Sequence, residues 1–371
     1  MHIVILIPNT DENLGKNLRI GGAEKQILRL LPTYANHKEI KIDLITKYTK
    51  YIPHSNNIII HQLSSNSILF VIQTFFRLFS INKKQEITIL NPHILGITII
   101  PCIFFKMFVK TQIMTKISGE IYQLINTRTK NHLIKALDKI FVKFLIENSN
   151  HFQALNNRIK EDLQRNYNVP TEKIHLIPNA INLDDFKYIK KMKKITRFGY
   201  VGRLEKVKNI FLMLEAFEIV LQKNCEITLQ LYGLGTLYNQ IDSYIKSKQL
   251  ENVIKLKGFQ TNAHEIYSSF DCFILPSESE GLSNSLLEAM ALGIPVIVSN
   301  IAGNMQLIKN HRNGLVFQVD SVKNLSNNME KYINDQNFAE KMRESARNDI
   351  ELNYSSKEVI KKLLIIYKRI Q

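Results

Sequence analysis

Three hundred and seventy-one residues exceed one ordinary domain and suggest two, since domains usually run to about 100–200 residues. With 45% hydrophobic residues, 22% charged residues and a mean hydropathy of −0.11, the composition is globular, which excludes a disordered or collagen-like chain. A net charge of +16 asks for an anionic partner or surface.

The longest nearly uncharged apolar run, Ile94 to Phe105, is interrupted by Pro101 and is shorter than the roughly 20 residues of a membrane span. Met1-His2 gives no basic start, and Ile3 to Ile7 is too short for a signal-peptide core. Cys102, Cys225 and Cys272 have neither the density of a disulfide scaffold nor metal-ligand spacing, which fits a reducing compartment. A soluble, cytoplasmic, two-domain protein is expected.

The positive charge is unevenly placed. Residues 70–143 hold 11 basic and 3 acidic side chains, nearly all of the excess in the first half of the chain. The same stretch is rich in phenylalanine: Phe70, Phe75, Phe76, Phe79, Phe104, Phe105, Phe108, Phe141 and Phe144. Basic side chains beside exposed aromatics suit an anionic lipid surface. The bland alternative makes the phenylalanines core and the lysines a solvated face.

In chain order, Ile3 to Pro8 reads as a buried strand, and Gly21-Gly22 opens an amphipathic helix through Leu31. Ile40–Thr46 and Asn57–Leu63 read as strands, and Ile68–Phe79 as a helix apolar nearly all round. Glu86–Leu90 is a strand, Ile97–Val109 a helix and Gln112–Ile117 a strand. Asn131–Ile146 is an amphipathic helix expected to turn Leu133, Leu137, Ile140, Phe141 and Phe144 inward. After the strand His175–Pro178 comes a lysine-dense linker, Lys187 to Arg197, and a second alternating series begins at Arg197–Val201. Helix Ile210–Leu221, strand Ile227–Tyr232, helix Thr236–Lys246, strands Ile254–Lys257 and Cys272–Leu275, helix Asn284–Ala291 and strand Pro295–Val298 follow. Alternation of this kind predicts an α/β fold of two doubly wound, parallel-sheet, Rossmann-like domains. The expected division is a first domain over 1–183, a second over 184–353, and a final helix over 354–371 that returns to the first domain.

Ligands of open α/β sheets bind beyond the carboxyl ends of the strands, so the strand-to-helix loops are the places to look. Gly21-Gly22-Ala23-Glu24 allows backbone amides to approach an anion at a helix start. In the loop Gly202 to Asn209, Arg203 and Lys208 put two cations where a diphosphate would lie, and Asn209 is a plausible N-cap. Tyr232-Gly233-Leu234-Gly235 offers close backbone approach but, with Tyr238 completing the pattern, is not a dinucleotide fingerprint. Most specific is Pro276 to Met290, where Glu280 sits in a loop and Glu288 in the helix after it. Between them, Gly281, Leu282, Ser283, Asn284 and Ser285 leave first-turn amides open to phosphate. Two carboxylates around an anion-binding turn can accept hydroxyl hydrogen bonds from a sugar and a ribose, which describes a nucleotide-sugar site.

This constellation resembles the retaining glycosyltransferases of family 4, which share the two-domain GT-B fold; the resemblance implies domains facing across a cleft, with 1–183 binding the acceptor and 184–353 the donor. The likeness takes in Gly21 to Glu24, Ile177-Pro178-Asn179-Ala180-Ile181 with Phe186, and the loop with Arg203 and Lys208. It continues through Gly233-x-Gly235, Lys257-Gly258-Phe259, Glu280-x7-Glu288, Gly293-Ile294-Pro295-Val296 and Asn313-Gly314-Leu315-Val316. The resemblance implies that Arg203 and Lys208 neutralise the donor diphosphate, and that Glu288 binds the ribose. It also implies that Glu280 and the amides after Gly281 orient the donor sugar, with Gly202, Gly233 and Phe259 lining the donor side. The amides of Gly21 and Gly22 approach the phosphates. No Asp-x-Asp occurs, so neither a metal nor another cofactor is expected.

Two positions depart from the family. Ser118 stands where the family usually has a histidine, leaving His93 as a candidate substitute on the acceptor side, and Gln306 stands where many members carry glutamate. The expected activity is transfer of a hexose or N-acetylhexosamine from a nucleotide-diphosphate sugar, UDP preferred. The acceptor would be a polyprenyl-diphosphate-linked saccharide in O-antigen, capsule or related surface glycan synthesis. The enzyme would sit peripherally on the inner face of the plasma membrane. Ser118 also motivates a catalytically weak or inactive scaffold subunit, and a UDP-sugar epimerase is a third reading. A nucleic-acid partner is not expected, because the basic residues form no recognition motif.

Overall fold

The computed structural model describes residues 1–7, 22–49, 55–93, 95–121, 125, 131–189 and 194–371. The chain divides into two units, Met1–Ala180 with Ser356–Gln371, and Ile181–Ser355. The boundaries thus fall three residues before and two residues after the expected 183/184 and 353/354.

In the first unit, strands β1 (His2–Leu6), β2 (Lys41–Thr46), β3 (Ile58–Gln62), β4 (Ile89–Pro92), β5 (Gln112–Ile117), β6 (His151–Ala154) and β7 (Ile174–Leu176) form one parallel sheet. Their order is β3-β2-β1-β4-β5-β6-β7. Both faces are covered, which is why β1 and β4 are buried along their whole length and why β1 after His2 is a continuous apolar run. One face is closed by α1 (Gly22–Ala35) and by the last helix of the chain, Ser356–Ile370. Val359, Ile360, Leu363, Leu364, Tyr367 and Ile370 of that helix join Ile27, Leu30, Leu31 and Tyr34 in one apolar cluster. Gln26 secures the end of the first unit by a reciprocal pair of bonds with Ala180, donating to its carbonyl at 3.0 Å and accepting from its amide at 2.6 Å.

The opposite face carries α2 (Ser67–Lys84), α3 (Ile99–Lys106) and α4 (His132–Glu147), followed by α5 (Asn157–Tyr167). The helix apolar nearly all round buries only a stripe at three- and four-residue spacing, Phe70, Thr74, Leu78 and Ile81. Of the nine phenylalanines, Phe70 and Phe105 are core, while Phe76, Phe104, Phe108, Phe141 and Phe144 are exposed. The helix α4 overturns its expectation. Leu133, Leu137, Ile140, Phe141 and Phe144 face outward, with exposures of 70%, 58%, 67%, 39% and 44%. Only Leu145 and Ile146 at its end are buried. Periodicity identifies which side of a helix is apolar but not which side the body of the protein covers.

The second unit repeats the design. Strands β8 (Arg197–Val201), β9 (Thr228–Tyr232), β10 (Ile254–Gly258), β11 (Cys272–Leu275), β12 (Val296–Ser299) and β13 (Leu315–Phe317) form a parallel sheet of order β10-β9-β8-β11-β12-β13. Between them run α6 (Ile210–Leu221), α7 (Tyr238–Ser247), α8 (Ala263–Ser268), α9 (Asn284–Leu292) and α10 (Ala302–Met305). Then α11 (Val322–Asn334) and α12 (Gln336–Asn353) close the unit. In both sheets the chain runs outward from one strand, then returns to continue on its other side, so each has a topological switch point. It lies between β1 and β4 in the first unit and between β8 and β11 in the second. In doubly wound sheets the crevice at that point, beyond the carboxyl ends of the strands, receives the ligand.

Candidate functional site

The loops at the second switch point follow β8 and β11, and they carry the charged residues singled out in the sequence. The main chain ties them together: the amide of Glu278 donates to the carbonyl of Val207 at 2.9 Å. Across this junction the Lys208 ammonium meets Glu280 Oε1 at 2.5 Å, each side chain only 13% exposed. The hydroxyl of Ser277 donates to the same oxygen at 2.8 Å. Ser277 is itself fully buried, and its carbonyl accepts from the hydroxyl of Ser299 at 2.5 Å. Lys208 and Glu280 are therefore held by one another before any ligand arrives, although they stand far apart in the chain.

Glycine shapes the neighbouring loops. Gly233 has φ of +139°, and a Cβ there would lie 1.8 Å from the carbonyl oxygen of Gly202. Gly233 also donates its amide to the carbonyl of Gly258 at 2.7 Å, which brings Phe259, half exposed, to the same rim. A Cβ on Gly303, in α10, would lie 2.3 Å from the carbonyl oxygen of Glu280. Arg203 is exposed at the rim, and its carbonyl accepts from the buried hydroxyl of Tyr200 at 2.9 Å. Burial pushes the Tyr200 hydroxyl well above its ordinary pKa, and the nearby charge of Glu280 adds to the shift. Asn209 occupies the N-cap position just before α6, as expected, but its side chain makes no capping bond. Its backbone is left-handed, with φ of 50°, and its side-chain amide instead donates to the carbonyl of Val319 at 3.4 Å.

After Gly281 and Leu282 the chain enters α9. Ser283 is the N-cap, its hydroxyl accepting from the amide of Leu286 at 3.3 Å and lying 3.1 Å from the hydroxyl of Ser285. The first turn, from Asn284, points its amides and the positive end of the helix dipole toward the loop of Glu280. Glu288 is no surface carboxylate: it is 9% exposed, and its Oε2 accepts from the hydroxyl of Tyr267 at 2.7 Å. The same hydroxyl bonds the carbonyl of Ser285 at 3.1 Å. Sequence reasoning missed Tyr267 and Ser277, which fix the two glutamates; the signal available was a tyrosine and a serine near strand ends, too common to single out. Gln306 follows α10, and its carbonyl accepts from the hydroxyl of Tyr354 at 3.2 Å.

On the first unit, Gly22 opens α1, while Gly21 lies outside the described residues. His93 stands just beyond β4 at that unit's switch point, with its amide bonded to the carbonyl of Leu6 at 3.0 Å. It is 3% exposed, its Nδ1 has no hydrogen-bond partner, and burial together with the charge of Lys116 holds it well below the ordinary histidine pKa. The register of β4 on β5, with Leu90 opposite Ile113, sets His93 level with Lys116, itself buried. Ser118 is exposed past the end of β5. In the second unit Lys208 thus meets Glu280, Gly233 packs on Gly202 and Glu288 is held by Tyr267, while His93 and Ser118 stand at the strand ends of the first unit.

Residues 182–349, nearly all of the second unit, match the family described as glycosyl transferases group 1. The chain is 29% identical over 198 residues to the capsular polysaccharide biosynthesis glycosyltransferase CapM of Staphylococcus aureus, 53% of this chain and 51% of that protein. It therefore spans about half the length of that relative. Over 350 residues it is 26% identical to the N-acetylgalactosamine-N,N'-diacetylbacillosaminyl-diphospho-undecaprenol 4-alpha-N-acetylgalactosaminyltransferase of Campylobacter jejuni, covering 90% and 91% of the two chains. The structure of Anabaena Alr3699/HepE in complex with UDP shares the fold with a TM-score of 0.79 at 14% identity, over the full length of both chains. Both units thus have the Rossmann-like build of GT-B glycosyltransferases. The two relatives, from Staphylococcus aureus and Campylobacter jejuni, are bacterial glycosyltransferases, one of capsular polysaccharide synthesis and one acting on a diphospho-undecaprenol-linked saccharide.

Proposed function

We propose that this chain is a retaining glycosyltransferase of the family 4 type, moving a hexose or N-acetylhexosamine from a UDP-sugar to a saccharide carried on a polyprenyl diphosphate. The acceptor hydroxyl belongs to a growing surface glycan such as an O-antigen or capsule, and the protein works peripherally at an anionic membrane surface. The observation that carries this reading is the Lys208–Glu280 pair at the switch point of the second sheet, beside the N-terminus of α9.

Departure of a nucleoside diphosphate builds negative charge, and groups already in place stabilise it at little reorganisation cost. Lys208 is pre-positioned by Glu280, Arg203 adds a second cation at the rim, and the amides after Gly281 supply donors. Glu288, oriented by Tyr267, accepts from the ribose hydroxyls. With the diphosphate neutralised by side chains and amides, the reaction requires no metal. On the acceptor side, His93 and Ser118 occupy the strand ends of the first unit. The relative acting on an undecaprenol-linked saccharide supports the acceptor class, and the UDP-bound neighbour supports the nucleotide.

The test is transfer from labelled UDP-sugars to an undecaprenyl-diphosphate-linked saccharide. Glu288→Ala and Lys208→Ala should each slow transfer at least about tenfold, roughly 1.4 kcal/mol of barrier, and a metal chelator should leave the rate unchanged. Wild-type rates in both variants would contradict the site assignment. The burial of His93 favours one second reading, a scaffold that binds donor without turnover. UDP-sugar binding with neither hydrolysis nor transfer over a broad acceptor panel would support that instead.

A further inference from the structure

Helix α4 presents a stripe that no described residue of its own unit covers. Leu133, Ile134, Leu137, Ile140, Phe141 and Phe144 are all exposed, between 39% and 70%. At about 100° per residue they fall within an arc of roughly 120° on one side of the helix. Leu145 and Ile146 anchor the helix by its last turn, and Asn131 fixes its first, accepting from the amides of Leu133 at 2.9 Å and Ile134 at 3.3 Å. The stripe is thus carried on a capped, well-formed helix, and an apolar face of this size on a soluble body marks a contact surface.

The charges on the helix indicate what it meets. Of its lysines, Lys143 lies nearest the stripe, about 60° beyond its edge, while Lys135 and Lys139 fall on the opposite side of the helix; Asp138 and Glu147 are its acids, Glu147 lying 3.8 Å from Lys143. Two neighbours on the same face of the sheet repeat the combination. In α2, Ile68, Leu69, Ile72 and Phe76 are exposed on a helix whose charged residues are Arg77, Lys83 and Lys84. Beside it, Phe104, Met107 and Phe108 are exposed around Lys106. Leu145 of α4 joins Phe70 and Phe105 of those helices in one core cluster, so all three helices turn their outer sides away from the same sheet face.

We infer that the outward stripe of α4 is a membrane-docking surface that seats in the headgroup–acyl boundary of an anionic phospholipid leaflet. Its six apolar side chains enter the boundary, and Lys143, with the basic residues of α2 and α3 beside it, reaches along its apolar stem to the lipid phosphates. The inference rests on the membrane-borne acceptor proposed above, whose reacting saccharide lies at that boundary. It adds the segment that brings the enzyme there.

The chain has no tryptophan, so Ile140→Trp places a single reporter in the stripe. Its emission should shift to the blue on phosphatidylglycerol–phosphatidylcholine vesicles and be quenched by brominated lipid, but not on pure phosphatidylcholine. In vesicle flotation, Leu137→Glu/Ile140→Glu should lose at least about tenfold in binding, because it puts charge where the helix meets the acyl boundary. Its melting temperature should be unchanged, since both positions are already exposed, and so should transfer to a short-chain, water-soluble acceptor. Full binding by that variant, or a loss seen only in Phe76→Glu/Phe108→Glu, would overturn the assignment to α4 while leaving the glycosyltransferase reading intact. So would light scattering in which the variant converts a wild-type dimer to a monomer, because the stripe would then be a self-association face. Wild-type protein that ignores anionic vesicles would overturn the docking inference altogether. Absence of transfer with any acceptor, alongside intact vesicle binding, would instead sink the proposed activity alone.

Discussion

At the scale of single residues, the candidate site is a set of functional side chains each held by a neighbour distant in sequence. The types were legible: cations in the loop after β8, and carboxylates before and within α9, stand where a diphosphate and sugar hydroxyls would need them. Their pairing was not. No local signal connects Lys208 to Glu280, whose contact exists only once β8 and β11 lie side by side, or Tyr267 to Glu288, which stand on the separate helices before and after β11. The Tyr267 hydroxyl gives a direct check on positioning. Tyr267→Phe keeps the ring but leaves a buried carboxylate oxygen short of a donor, at a stability cost of about 1 kcal/mol. If Glu288 reads the ribose, the same change should raise the donor KM by about threefold to tenfold while altering kcat less, which steady-state kinetics will separate. An unchanged KM would mean that the bond serves the fold alone.

At the scale of elements, alternation of strand and helix was readable through most of the chain because buried parallel strands are apolar throughout. It failed where that physics is weak. Strand β6, His151 to Ala154, is four residues with two polar side chains, and α8 is a single short helix between two strands, so neither stood out. The direction of α4 was unreadable for a different reason: an amphipathic pattern is the same whether its apolar side meets a core or a lipid. Glycine gave a clearer signal. The backbone approach of Gly233 to Gly202 leaves no room for a side chain, and the +139° angle adds strain to any replacement. Gly233→Ala should therefore destabilise the second unit by about 2 kcal/mol or more and weaken UDP binding at least about tenfold, measured by thermal melting and titration. An unperturbed variant would show that these loops yield more readily than their packing implies.

At the scale of the whole molecule, each unit has its own sheet, and the first is completed by a helix from the far end of the chain. Stability at low pH should depend on a buried cluster in that first unit. Asp43, 2% exposed, takes bonds from His2 and His61, each at 2.5 Å. Burial alone would raise its carboxyl; the two histidine bonds outweigh it and hold the group well below the usual carboxylate range. A lowered pKa in the folded state stabilises the protein above the unfolded value of about 3.9 and is lost as pH falls through the folded value. Asp43→Asn should accordingly cost about 2 kcal/mol at neutral pH and flatten the acid limb of the stability profile below about pH 4, as seen in denaturant melts across pH. A variant that keeps the wild-type acid limb would assign that limb to other groups.

The net charge of +16 and the outward apolar helices belong to the same scale, and both suit a protein that meets its substrate at an anionic surface. Everything in this account nevertheless depends on a nucleotide-sugar site at the switch point of the second sheet. Thermal melting with and without UDP, on wild type and Glu288→Ala side by side, tests that most directly. UDP at about 100 times its dissociation constant should stabilise the wild type by roughly 2.7 kcal/mol, a shift of several degrees, and should leave Glu288→Ala nearly unmoved. No shift in the wild type, or an equal shift in both proteins, would contradict the site.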